Sequence, residues 1–136
     1  MRAPEIWQAL VEVMEADAVI TGIVGDAIYL TDGEREFEAP SIAGTLIAST
    51  QGERFTQSEF QMDCFAKTMQ DAVTLGERLI RLFDQDVRVW IGGVRMWSRC
   101  TDERFFHGPV SDKVYRRSLD FELEVIRSRY ARVGES

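Results

Sequence analysis

The chain has 136 residues, enough for one domain with a real core, and its 45% hydrophobic and 29% charged content is ordinary for a globular protein. A net charge of −7 argues against a general nucleic-acid binder, which is normally basic, though not against a ring through which DNA passes without specific binding. No run reaches the ~20 apolar residues that a spanning helix needs. The N-terminus MRAPEIWQAL lacks the long apolar core of a signal peptide, so no membrane partner and a cytoplasmic location are expected.

Pro4 suits a first helical turn, and Ile6, Leu10, Val13 and Met14 recur at helical spacing, which predicts a helix over residues 4–16. Asp17 then offers an N-cap for a short helical turn through Ile23, and Gly25 ends it. Residues 27–30 read as a short extended piece. Residues 31–40 (TDGEREFEAP) are polar and acidic, with Gly33 and Pro40, and read as a loop. Its carboxylates do not make an EF-hand, because Ile28 and Leu30 stand where Asp or Asn is needed. Residues 41–49 (SIAGTLIAS) form a strand, and 51–56 a turn or an extended β-arm. Over 59–66 Phe60, Met62 and Cys64 alternate inward against Glu59, Gln61 and Asp63 outward.

Met69, Ala72, Val73, Gly76, Leu79, Ile80 and Phe83 draw a helical stripe, with Thr68 as its N-cap. Gly76 weakens that helix by roughly 1 kcal/mol relative to Ala, so close approach to the sheet is the expected compensation. Residues 87–91, Gly92-Gly93 and Val94 onward predict a tight hairpin. The stretch 94–125 organises the rest. Tyr115, Leu119, Phe121, Leu123 and Val125 share one parity; Arg116, Ser118, Asp120, Glu122 and Glu124 share the other. A register with Met96 opposite Phe121 and Arg95 opposite Glu122 makes the apolar faces coincide and sets arginines among carboxylates. Residues 103–113 are expected to be a loop carrying Phe105 and Phe106. These rings either form an interface core or fold back on their own domain. A cationic tail with Arg127, Arg129 and Arg132 follows.

The expected fold is α+β: one antiparallel sheet with two main helices packed on one face, plus an extended loop or β-arm. Chemistry is sparse. His107 is the only histidine, Cys64 and Cys100 fall on inward parities, and no nucleophile elbow, zinc motif, phosphate loop or dinucleotide fingerprint occurs. No catalytic residue, cofactor or metal is expected, and the chain does not read as an enzyme.

Several short motifs occur in order: an N-terminal helix, Val24-Gly25-Asp26-Ala27-Ile28-Tyr29, then Met62-Asp63-Cys64-Phe65-Ala66 before a second helix. Gly92-Gly93-Val94-Arg95, Asp102-Glu103-Arg104 and Tyr115-Arg116-Arg117-Ser118-Leu119-Asp120-Phe121 follow. Over roughly residues 6–126 this series resembles the tail-completion, or tail-terminator, proteins of long-tailed phages and phage-like gene transfer agents. The acidic loop at 31–40 departs from the family, which often has Pro and Gly soon after the tyrosine.

The resemblance implies a virion protein of the tail or neck, assembled in the host cytoplasm. Its subunits would form a hexameric ring, a homo-oligomer that caps the tail tube, terminates tail growth and performs head–tail joining. Its partners would be the tail tube protein and the head–tail connector protein. Residues 1–126 would be a single tail-terminator-like domain and 127–136 a basic C-terminal tail. Candidate subunit or partner contacts are Arg104, Phe105, Phe106, Arg127, Arg129 and Arg132. Candidate lumen-facing residues are Glu59, Asp63, Asp120, Glu122 and Glu124, whose charge would repel passing DNA. The alternatives are a monomeric α+β protein-binding module of another phage assembly step and a small-molecule enzyme.

Overall fold

Helix α1 (Ala3–Glu15) sends Ile6, Leu10 and Met14 into the core at a spacing of four, so each turn contributes one fully buried side chain. Helix α2 (Ala18–Val24) begins where the Asp17 carboxylate accepts hydrogen bonds from the backbone N–H groups of Val19 and Ile20, and it ends at Gly25. Helix α3 (Met69–Phe83) starts on Thr68, whose hydroxyl accepts from the N–H of Asp71. All three starts agree with the sequence to within a residue, because caps and apolar spacing are local signals. The computed structural model describes residues 3–31, 38–52, 55–107 and 114–126.

The strands are β1 (Ile28–Thr31), β2 (Ser41–Gln51), β3 (Phe55–Ala66), β4 (Gln85–Ile91), β5 (Val94–His107) and β6 (Tyr115–Ile126). They form one curled, six-stranded sheet in the order β1-β2-β3-β6-β5-β4. The expectation of a purely antiparallel sheet is corrected at one edge, where β1 runs parallel to β2. The chain is therefore α+β with a mixed, mostly antiparallel sheet and three helices. The turn between β4 and β5 is built on Gly92 and Gly93, with φ of 56° and 78°, which glycine adopts without steric cost.

Buried residues of all three helices join Ile42, Phe60, Met62, Leu119, Phe121 and Leu123 in one hydrophobic cluster. Trp7 packs against Phe60, with ring centroids 5.9 Å apart, and Phe83 meets Phe121 edge-on at 6.0 Å. Besides an irregularity in β4 between Gln85 and Val89, two β-bulges interrupt the ladders, one beside Ile47 between Leu46 and Ala48, the other beside Thr101 between Cys100 and Asp102. They flank the central β3–β6 pair at the level where Phe60 faces Phe121, and bulges bend and twist a strand.

The register of β5 on β6 differs from the expected one. Met96 faces Val125 instead of Phe121, and Arg99, not Arg95, faces Glu122. The slide is an even number of residues, so every side chain of β5 up to Cys100 keeps its face. Parity restricts register only to alternatives of this kind. The predicted loop also begins later than expected, since residues 103–107 continue β5 past the Thr101 bulge. Residues 32–37, most of the acidic segment at 31–40, lie outside the described residues. So do 108–113 and the basic tail with Arg127, Arg129 and Arg132. Among the described residues no helix is long and apolar enough to cross a membrane.

Candidate functional site

The apolar line of β6 on the core-bearing face is interrupted by a buried charge. Arg117 lies on the parity of Leu119 and Phe121 and is buried. Its Nη1 donates to the carbonyl of Val73 (2.9 Å) and to Glu77 (3.2 Å), and its Nη2 to Glu103 (2.6 Å). Burial works against the guanidinium charge, but the hydrogen bonds it donates to Glu103 and Glu77, and their charges, outweigh it and hold its pKa above the ordinary value. The reason for Gly76 follows. A Cβ there would meet the Arg117 side chain, with Nε only 2.7 Å away. The approach expected at Gly76 is thus an arginine lying across α3.

On the opposite face, the carboxylates read as solvent-facing separate into two groups. Asp63 is only 8% exposed. It accepts from Arg116 Nε at 3.1 Å, from Gln61 Nε2 at 3.3 Å and from the Ser118 hydroxyl. Asp120 is clasped bidentately by Arg104, with both N–O distances 3.1 Å, and the same guanidinium also reaches Asp102. Asp63 is therefore covered, and Asp120 is neutralised within the subunit. Arg104 is likewise held by Asp120 and Asp102 of its own chain.

Glu59, Glu122 and Glu124 behave differently. Glu59 is exposed and stands directly opposite Glu122, a like-charge pair that costs stability. Glu122 has Arg99 on its other side at 3.7 Å, an exposed pair of small energetic value. Glu124 accepts from Gln57 Nε2 at 3.4 Å. Between the two bulges these strands enclose a cavity of about 350 Å³ lined by Ile47, Glu59, Gln61, Thr101, Asp120 and Glu122, together with Phe60 and Phe121. Its lining contains no histidine, cysteine or lysine to act as base or nucleophile.

Phe105 lies opposite Arg117 and stacks obliquely on Tyr115, centroids 6.5 Å apart, while remaining 39% exposed. Its neighbour Phe106 is opposite Arg116 in the ladder, and its side chain lies outside the described ones. Sequence reading did not single out Trp90, 70% exposed on β4, or Leu46 and Ile47 at the β2 bulge.

Cys64 is fully buried, and burial followed by the neighbouring Asp63 charge pushes its thiol up to about 12, so it is a core side chain and not a nucleophile. Among the described residues no cluster of His, Cys, Asp and Glu could hold a metal ion.

No known family's sequence profile matches the chain, and no curated protein matches it in sequence. Solved structures do match its fold. A chain from the virion of a native gene transfer agent particle aligns with 88% of this chain and 94% of its own length, at a TM-score of 0.60 and 15% identity. A second solved chain, whose designation says nothing of function, aligns over 92% of this chain and 96% of its own at 0.55 and 14%. At these identities the likeness defines a shared α+β fold.

Proposed function

We propose that the chain is a structural component of a phage-like particle, and within it a tail terminator: a ring subunit that caps the tail tube, stops its growth and joins it to the head connector. The observation that carries this reading is the end-to-end fold likeness to a chain of a gene transfer agent virion, covering 88% of one chain and 94% of the other. The ordered motifs from Val24 to Phe121 support the finer assignment. The physical character of the site fits a structural role. Its polar groups are tied to one another across strands, and the one cavity described above lacks a catalytic constellation.

In such a ring Glu59, Glu122 and Glu124 would face DNA, and Asp63 and Asp120, compensated by Arg116 and Arg104, would add less to the repulsion. Phe105 supplies exposed aromatic area for a neighbour. Arg127, Arg129 and Arg132 would reach an acidic partner ring. The test is electron microscopy of particles produced without this chain. Headless tails of uncontrolled length are expected; normal, head-bearing particles of regular tail length would overturn the assignment.

A further inference from the structure

The face of the sheet turned away from the helices carries a hollow and a projection of opposite character. The hollow is the cavity of about 350 Å³ framed by the Ile47 and Thr101 bulges. Its lining carries Glu59, Asp120 and Glu122 and no cation. Asp120 is held by Arg104, but Glu59 stands directly opposite Glu122, which has Arg99 at 3.7 Å on its other side. A cation entering beside these two carboxylates would offset a like-charge pair that costs stability.

The projection is the end of the β4–β5 hairpin. Trp90 and Arg95 are cross-strand partners, and both are exposed, Trp90 by 70%. Their chain neighbours Ile91 and Met96 enter the core, so Trp90 and Arg95 leave the sheet on the other face. The other arginines of β5 and β6 each lie against a carboxylate of their own chain: Arg99 on Glu122, Arg104 on Asp120, Arg116 on Asp63 and Arg117 on Glu77. Among the described residues Arg95 has no such partner.

We infer that this end of the hairpin, Trp90 with Arg95, seats in the carboxylate-lined cavity of a second copy of the chain. The two surfaces are complementary in charge and in hydrogen bonding. A guanidinium and an indole N–H only donate, ionised carboxylates only accept, and each side supplies what the other lacks. Ile47, 55% exposed in the cavity wall, gives the indole ring an apolar contact. Trp and Arg are also the residue types that most often anchor protein contacts. The chain cannot make this contact with itself. Arg95 lies four residues along β5 from Arg99, the partner of Glu122, which is roughly 13 Å of strand. Hollow and projection occupy different places on one subunit, so joining them is a heterologous contact, the kind that closes into a ring. The inference rests on the ring reading above and names a contact within it. Glu59 and Glu122 then face the lumen at the seam between subunits with part of their charge offset, and Glu124 carries more of the repulsion.

The experiment uses the full chain, the charge reversals Arg95→Glu and Glu59→Arg, the double variant that combines them, and Trp90→Ala. All three positions are exposed, and folding is checked by thermal melting. Glu59→Arg should melt no lower than the unaltered chain, because it removes the repulsion from Glu122. Masses are measured by analytical ultracentrifugation over a wide concentration range, with and without tail tubes. The unaltered chain is expected to assemble into rings, and each single reversal to be monomeric. Trp90→Ala should need about tenfold or more protein to assemble. The double variant should regain rings, since the exchanged charges attract again; within one chain the two positions do not meet, so recovery reports a contact between chains. Rings that persist in both single reversals overturn this contact while leaving the ring. A double variant that stays monomeric overturns it as well. Loss of rings in Glu59→Arg but not in Arg95→Glu means that the cavity takes its cation from another source, and overturns it too. An unaltered chain that is monomeric at every concentration, tubes present or absent, overturns the ring reading and this inference together.

Discussion

The two halves of β2 show most clearly how one strand serves two purposes. Ser41–Thr45 is buried, covered by β1 on one side and β3 on the other, with Trp7 of α1 lying over Gly44. Leu46–Gln51 is exposed throughout, although it too pairs with β3 on both sides of the Ile47 bulge. Pairing with β3 is therefore not what separates them; among the described residues only the first half also pairs with β1. The first half is held by side-chain packing against its own chain. The second presents its side chains to solvent. Stability and assembly should then respond to different halves of the molecule.

Substitutions in the packed region should give the largest effects on folding. Phe121, almost fully buried and edge-on to Phe83, should cost about 3–5 kcal/mol when cut to alanine. A loss under ~0.5 kcal/mol in chemical denaturation would mean that the two faces are misassigned. Arg117→Ala should cost less, about 1–3 kcal/mol. It removes hydrogen bonds to Val73, Glu77 and Glu103, yet both glutamates remain open to water. Gly76→Ala tests the same contact from the helix side, and its destabilisation should shrink when it is combined with Arg117→Ala.

The third prediction is a pH dependence. Burial raises the Asp17 carboxyl, but hydrogen bonds from Arg78 (Nε at 3.1 Å) and from the N–H groups of Ile20 and Val19 outweigh it and leave the pKa below 3.8. A depressed folded-state value means that the pair stabilises the fold above the unfolded carboxylate pKa, about 3.9, and that this stabilisation is lost as pH falls through the folded value. Asp17→Asn keeps an N-cap but loses the ion pair. Melting temperatures of the two chains should differ at pH 7 and converge as pH falls below the unfolded carboxylate pKa and through the lower folded one. A constant difference across that range would contradict the role given to Arg78.

The smallest expected effect on folding sharpens the contrast most. Ile47→Lys should change stability by less than about 0.5 kcal/mol, as surface substitutions do. A large thermal destabilisation would show that the exposed half of β2 contributes to the monomer's own packing.

Much of this architecture was legible in the sequence because the signals are local. Asp17 and Thr68 cap the helices they were expected to cap, and Gly92-Gly93 closes the predicted hairpin. Long-range arrangement was not readable in the same way. Parity put Phe121 and Met96 on one face but could not distinguish Met96–Phe121 from Met96–Val125, since both obey it. The Thr101 bulge reverses parity after Cys100, and Glu103 and Phe105 therefore looked like loop residues. β1 is only four residues long, and nothing in so short a segment reveals a parallel partner. The site was less legible than the fold. Asp63 and Asp120 sit on the outward parity as expected, but that parity does not show that Arg116 and Arg104 cover them. Arg117 was passed over because a charge on an apolar face makes sense only beside Gly76, which is distant in sequence.

The central claim, that this chain is a ring-forming structural subunit of a phage-like tail, is tested most directly by native mass spectrometry of the purified chain, alone and after addition of tail tubes. The account predicts a six-subunit species that becomes dominant when tubes are present and remains attached to their ends. A monomer under both conditions, with no mass added to the tubes, would contradict it.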